Sequence, residues 1–310
     1  MTAVDAPDAE PWHEGELLAQ RLAGIEHGSS GAGIRSFMPD QHRLFFAQLP
    51  FMVAGGVDGS GAPVATLLVG GEGFVASPDP RVLAIAATSP SPAGRWLASG
   101  APIGLLGIQP HTRRRNRANG RISYAGEEGL IVEVAQSFGN CPQYIHPRGL
   151  ELAASDAPFE SFTGLDQAAR AQIAAADTFF VVTTSGRAIA NGGVDVSHRG
   201  GPAGFVQVDG ETLTIPDYRG NRYFNTLGNL VLEPRAALLF VDFAAGRMLQ
   251  LQGVAEVAWD ERALPGAERT WRFSVLRGWR GPAGLRQVAV QPPSTESAAP
   301  VAADPMSETR

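Results

Sequence analysis

Cysteine is nearly absent: Cys141 is the only one in 310 residues, so an intramolecular disulfide and any metal site built from several thiolates are excluded. The six histidines are scattered, and no two stand one helical turn apart as a zinc or iron motif would require. No apolar run reaches the ~18–20 residues that span a bilayer. The acidic, proline-containing start from Met1 to Pro11 also lacks the basic-then-apolar order of a signal peptide. A cytoplasmic protein with no membrane partner is therefore expected. A surplus of positive charge is missing too. The net charge of −6 argues against general affinity for nucleic acid, because counterion release requires a basic surface. No glycine-rich fingerprint opens a long helix in a βαβ unit, which excludes a nicotinamide site of that type. No serine–base–acid set that would support a hydrolase is evident.

What is present is a normal hydrophobic fraction of 44%, heavily punctuated by 37 Gly and 23 Pro, a composition that suits many short strands and tight turns. One pattern also occurs twice. Gly70-Gly71-Glu72-Gly73-Phe74-Val75 leads to Leu83-Ala84-Ile85, and Gly200-Gly201-Pro202-Ala203-Gly204-Phe205-Val206 leads to Leu213-Thr214-Ile215. Downstream, Ile103–Ile108 stands opposite Ala236–Val241, and Gly120-Arg121-Ile122 opposite Gly253-Val254-Ala255. A spacing of roughly 130 residues is far longer than a solenoid or propeller repeat, so each copy is expected to be a small domain with its own core.

Along the chain, Pro11 to Gly24 reads as an amphipathic helix with Leu17, Leu18, Leu22 and Ile25 on one side, expected to pack on the first domain. A short helix is expected over Gln41–Leu49. Two apolar runs around Asp58-Gly59 then read as a hairpin. A further short helix is expected near Gly94–Ser99, and Ala118-Asn119-Gly120 carries a turn signal. Gly129–Phe138 alternates as a half-buried strand does. A polar, Ala-rich stretch with a helix over Leu165–Ala176 joins the halves. The second copy begins at Asp177, and a helix is expected from about Asn221 to Glu233, stopped by Pro234. Beyond Pro292 the Ser-, Pro- and Ala-rich tail has little to bury and reads as disordered.

The chemistry concentrates in the second copy. A strand ending at Ile215-Pro216 runs through Asp217-Tyr218-Arg219-Gly220-Asn221-Arg222 into a helix. Free backbone N–H groups at such a helix start, with Arg219 and Arg222 beside them, form a cradle for a phosphate. The equivalent loop of the first copy, Ala87-Thr88-Ser89-Pro90-Ser91-Pro92, has prolines and neither arginine, so that copy has lost this chemistry. Just upstream, strand geometry puts Asp195, Ser197 and Arg199 on one face and Val196 and His198 on the other. In the first copy, Thr112–Arg117 would put Arg113, Arg115 and Arg117 on one face, either as the far wall of a pocket or as a solvated basic hairpin. Cys141 has no basic neighbour in sequence to activate it and reads as a small buried hydrophobe.

The strings Asp195–Gly201, Pro216–Leu230 and Pro234–Phe243 resemble the FMN-binding split-barrel family related to pyridoxamine 5'-phosphate oxidase. The resemblance covers most of 177–258 and is weaker over 42–145. It implies a mainly β fold with short helices (α+β) made of tandem split β-barrels that form a pseudo-dimer within one chain. It also implies that FMN is the cofactor, with Asn221 and Arg222 on its phosphate. Ser197, His198 and Arg199 would lie along the strand facing it, Pro216 and Asp217 at the ring or ribityl edge, and Thr226 beside them on the helix. Two departures are visible. Asn221 precedes Arg222 where the family's best-known enzyme has adjacent basic residues, and Trp271–Gln287 holds no match to the arginine and histidine motif that grips pyridoxal phosphate, so pyridoxamine phosphate is a poor substrate candidate.

The resulting map is an N-terminal helical segment (1–40), a first, degenerate barrel (41–150), a linker helix (151–176), an FMN-binding barrel (177–291) and a disordered tail (292–310). The expected function is an FMN-dependent oxidoreductase acting on a small molecule and reduced by a nicotinamide donor or a partner reductase. A non-catalytic flavin- or haem-binding module is the alternative. A deazaflavin in place of FMN and a homodimer of such chains remain open, as does a purely structural scaffold.

Overall fold

The computed structural model describes residues 11–25, 31–87, 89, 91–186 and 188–289. Three readings fall outside these residues: the start from Met1 to Glu10, Thr88 and Pro90 of the first-copy loop, and the tail beyond Pro292. Alternating and continuous apolar runs pair into seven antiparallel strands in the first half: β1 (Phe51–Val57), β2 (Pro63–Val69), β3 (Val75–Asp79), β4 (Val82–Ile85), β5 (Pro102–Gln109), β6 (Arg114–Gly126) and β7 (Gly129–Gly139). They lie in the order β2-β1-β5-β6-β7-β4-β3. Every one of them gives side chains to a single core that also takes Phe45 and Phe46 from α2 (Asp40–Ala47), which makes the sheet curl around it.

The second half has β10 (Thr178–Thr184), β11 (Val194–Gly200), β12 (Gln207–Asp209), β13 (Thr212–Tyr218), β14 (Arg235–Asp242), β15 (Arg247–Ala258) and β16 (Ala267–Pro282). Their order is β11-β10-β14-β15-β16-β13-β12, the same path as in the first half. The core of this half includes Phe179, Phe240, Trp271 and Phe273. A third core lies between the halves. There the outward faces of β1, β2 and β5, with Phe51, Val53, Leu67 and Leu106, pack on those of β10, β11 and β14, with Phe180, Val182, Val196 and Leu239. Each such side chain contributes about 1.5–3 kcal/mol when fully buried, so this contact holds the halves as one body. The architecture is mainly β with four short α-helices among the described residues, the fold class expected. None of those helices is long and apolar enough to cross a membrane.

Several local expectations are corrected. The Ala118-Asn119-Gly120 turn is instead a β-bulge within the continuous strand β6, and the hairpin closes at Glu127-Glu128. A Cβ at Gly120 would stand 1.9 Å from the Glu133 carbonyl oxygen, and at Gly253, the bulge of β15, 2.1 Å from that of Ser274. Glycine serves here to let a neighbouring strand approach, not to reverse the chain. The helix near Gly94 is a 3-10 turn over Pro92–Trp96. The linker contains β8 (Gly149–Leu152), paired with β17 (Leu285–Val288), and β9 (Glu160–Thr163), paired with β16, before α3 (Gln167–Ala175). Its polar composition hid strands that exist only because distant edges receive them.

The N-terminal helix α1 (Glu14–Leu22) packs on α4 (Asn225–Leu232) of the second half, and Ala19 joins that half's core. The expected docking on the first domain is wrong because the buried face consists of Gly15, Glu16, Ala19 and Gln20, whereas Leu22 is exposed. Small residues let two helices approach closely, and a reading of leucine spacing passes over them.

Candidate functional site

A cleft opens at the seam between the halves. Arg115 and Arg117 of β6, with Asn140–Tyr144, form one wall. The other is built from Ser197–Gly200 of β11, Pro216–Tyr218 at the end of β13, the loop 220–224, the first turn of α4, and Glu268 and Arg269 of β16. All eight residues predicted from sequence line it: Ser197, His198, Arg199, Pro216, Asp217, Asn221, Arg222 and Thr226. The chain contains no lysine, so every fixed cation here is a guanidinium, able to donate in a planar fork.

Arg117 crosses from the first half to the second. Its Nη1 donates to Asp195 Oδ1 at 2.9 Å and to Asn225 Oδ1 at 3.0 Å, its Nη2 donates to Ser197 Oγ at 2.8 Å, and its plane lies over Phe138. Ser197 also accepts from Thr226 Oγ1 at 2.7 Å and donates to Asp195 Oδ2 at 3.1 Å. One hydroxyl proton and two lone pairs are thereby all used, which makes Ser197 an internal brace with no capacity left for a ligand. The alternation read from β11 is real: Asp195, Ser197 and Arg199 share one face, while His198 faces the third core and meets Phe180 edge-on.

Asp217 is 6% exposed and sits between two guanidinium groups, Arg199 Nη1 at 2.5 Å and Arg269 Nη1 at 2.6 Å. Arg269 also stacks over Phe224. Arg115 Nη1 donates to His198 Nδ1 at 2.6 Å. Burial pushes the His198 imidazole well below its usual range, and the positive charge of Arg115 adds to this. His198 is therefore neutral, with Nδ1 accepting and the proton on Nε2. Burial, with Arg117 and Arg199 close by, also pushes Arg115 down to about 9. Four Nε–H groups in this cleft, those of Arg115, Arg117, Arg199 and Arg269, are buried without a partner. Five arginines (115, 117, 199, 222 and 269) face three carboxylates (Asp195, Asp217 and Glu268), leaving two uncompensated positive charges.

The phosphate cradle read from sequence needs correction. The helix starts at Asn225, four residues later than expected, because Phe224 at its N-cap is left-handed (φ 63°) and provides no side-chain cap. The N-terminal amides lining the cleft are those of Asn225, Thr226 and Leu227, and Asn221 and Arg222 belong to the exposed loop before them. Arg219 is exposed and stands outside the cleft wall, its carbonyl accepting from Tyr144 Oη. Arg113 is also out of place. It ends a 3-10 turn in a left-handed conformation before β6 begins, so only Arg115 and Arg117 of the predicted basic face reach the cleft. Cys141 is exposed at the cleft rather than buried. Sequence reasoning missed Asn225, Arg269 and the stacked Tyr144–Tyr218 pair, whose ring centroids are 5.4 Å apart. Tyr144, Arg222 and Phe224 are three of the five non-glycine residues with positive φ among the described residues, and the concentration of this strain around one cleft is typical of a functional site.

Beneath the cleft, Glu16 is 4% exposed and its carboxyl is pushed up to about 7, chiefly by burial and further by Asp195. The unfolded chain should titrate near 4.5, so the folded protein holds an extra proton between these values. The associated stability is full below the lower value and is lost as pH rises through about 7, a change of about 3 kcal/mol at most. Urea unfolding between about pH 5 and 8 tests this: the stability of wild type minus that of Glu16→Gln should decline with rising pH. A difference independent of pH would mean an unperturbed carboxyl.

Residues 165–295 match the family model for pyridoxamine 5'-phosphate oxidase. Among solved structures, the H111A form of HupZ from Group A Streptococcus is 13% identical, with 37% of this chain and 98% of that one covered at a TM-score of 0.29. An FAD-binding protein from Mesorhizobium loti is 11% identical, with 40% and 98% covered at a TM-score of 0.26. No curated protein matches the sequence. The family match falls on the second half of the chain, which carries most of the cleft.

Proposed function

We propose that the cleft binds FMN and that the protein is an FMN-dependent oxidoreductase acting on a small molecule. The observation that carries this reading is the convergence of guanidinium groups at the seam: two positive charges lack a carboxylate and four buried Nε–H groups lack an acceptor. A phosphate monoester, close to a dianion at neutral pH, fits that surplus, and the uncapped start of α4 adds its dipole and free amides. Arg222 and Asn221 on the rim, with the backbone N–H of Thr226 on the first turn, would hold the phosphate, since the Thr226 hydroxyl proton is already given to Ser197. Arg115, Arg199 and Arg269 offer donors to the polar edge of the ring system, and the Tyr144–Tyr218 pair offers a flat apolar face. Flavin supplies the two-electron chemistry, and these residues bind and orient it and set its electrostatic surroundings. The open side of the cleft leaves room for the substrate and for a nicotinamide donor or reductase docking transiently.

One cofactor per chain is expected. Aligned at the Gly120 and Gly253 bulges, Arg115 and Arg117 correspond to Met248 and Gln250 of β15. Gln250 is spent on the first half itself, donating to the Ala65 carbonyl at 2.5 Å and accepting from Ser91 Oγ at 2.6 Å. The mirror position is thus closed by the protein's own side chain. The test is the visible spectrum of the purified protein, followed by titration of the apoprotein with FMN, FAD, a deazaflavin and haem. FMN should bind at one equivalent per chain. Arg115→Gln and Arg222→Ala should each weaken it about 10–100-fold, the worth of a charge-assisted hydrogen bond. A haem Soret band, or preference for a deazaflavin, would replace this reading.

A further inference from the structure

The N-terminal segment lies outside both sequence repeats and outside the family match, yet it touches the cleft's loop–helix junction at three separate points. Its helix meets α4 with almost no spacing: a Cβ on Gly15 would stand 2.3 Å from the Gly228 carbonyl oxygen, and one on Gly228 would stand 2.6 Å from the Glu16 Cα. Glu16 Oε1 accepts from Asn225 Nδ2 at 2.5 Å, and Asn225 Oδ1 accepts from Arg117 Nη1 at 3.0 Å. One buried amide thus links α1, the start of α4 and the arginine that spans the seam. Trp12 packs edge-on against Tyr223, ring centroids 5.0 Å apart, within the loop that carries Asn221 and Arg222. The segment is itself anchored. His13 and Glu16 close a capping box on α1, and the Pro11 carbonyl accepts from Gln136 Nε2 of β7 at 3.0 Å.

We infer that the segment from Trp12 to Leu22 is a clamp for the cleft, in which Glu16 and Trp12 are positioning residues that hold Asn225 and Tyr223 and thereby fix the loop 219–224 and the first turn of α4. The junction needs such support. Phe224 and Arg222 are held in left-handed conformations and no side chain caps α4, so local sequence alone does not favour this geometry. Neither clamp residue lines the cleft: Glu16 acts through Asn225, which does, and Trp12 acts through Tyr223, which stands in the chain between the lining residues Arg222 and Phe224. The consequence for ligand affinity rests on the flavin reading proposed above. The consequence for the loop does not.

The experiment uses the full chain and two readouts. Hydrogen–deuterium exchange of the ligand-free protein should rise about tenfold over residues 219–232 in Glu16→Ala and in Trp12→Leu, the loss of roughly one hydrogen bond or ring contact, while β10 and β14 stay protected. Glu16→Gln retains an acceptor for Asn225 and should keep protection near wild type. In the same set of proteins, the FMN Kd should rise about tenfold in Glu16→Ala and far less in Glu16→Gln. Unchanged exchange over 219–232 in both disruptive variants overturns the clamp, as does a Glu16→Gln as impaired as Glu16→Ala. If Glu16→Ala does not fold, Trp12→Leu carries the comparison. Wild-type protein that binds no FMN sinks the flavin reading alone, since the exchange data still decide the clamp.

Discussion

Asp217→Ala should lower the unfolding free energy by about 3–5 kcal/mol, the cost of removing one partner from a buried ionic group. Asp217 is the shared counter-ion of Arg199 and Arg269, both largely withdrawn from water, and each of these also carries a buried Nε–H with no acceptor. Without the carboxylate, two like charges face each other at the base of the cleft. Asp217→Asn keeps an acceptor for one guanidinium and should lose less. Inorganic phosphate should recover part of the loss in either variant by taking the place of the missing anion. The measurement is urea unfolding with and without phosphate. A loss below about 1 kcal/mol, the value of an exposed pair, would mean that water already solvates these arginines.

The second large effect concerns the arginine that ties the halves together. Arg117→Met should also cost about 3–5 kcal/mol, because Asp195, 4% exposed, would keep only neutral donors, the Ser197 hydroxyl and Asn119 Nδ2. The desolvated carboxylate is the source of most of that penalty, so Arg117→Met combined with Asp195→Leu should regain much of the stability. Ligand binding should not return with it. Ser197, Asn225 and Thr226 all take their positions from this network, and the double variant has no guanidinium to organise them. Stability from urea unfolding and FMN affinity would therefore separate, with the first restored and the second reduced. A double variant no more stable than Arg117→Met alone would show that the pair is not the origin of the penalty.

Much of the cleft could be read from single segments because its second-half wall is made of local patterns. The period of two along β11 places Asp195, Ser197 and Arg199 together without any knowledge of the partner strand. The strand–loop–helix after Ile215 likewise announces a turn lined with polar groups. What could not be read is how those groups are used. Ser197 looks like a ligand contact in sequence, but in the structure its hydroxyl is saturated by Arg117, Thr226 and Asp195. Arg219 and Arg222 look equivalent in sequence, but only Arg222 reaches the cleft wall, while Arg219 is exposed and its carbonyl accepts from the Tyr144 hydroxyl of the other half.

The sequence by itself determined the strand-rich architecture, the correspondence of the two apolar patterns and the segment that builds the site, since turn chemistry and side-chain alternation act over a few neighbouring residues. Tertiary structure alone decided which charges meet. Arg115 and His198 are 83 residues apart, Arg269 and Asp217 52, and Glu16 and Asn225 209. It also decided that α1 buries glycine, alanine and glutamate in preference to its leucines, and that polar segments of the linker become strands. These outcomes depend on which surfaces approach closely enough to exclude water. Removing water is what makes an unpaired guanidinium, a buried carboxyl or a missing Cβ matter, and that condition exists only once the two halves and the N-terminal helix have closed on one another.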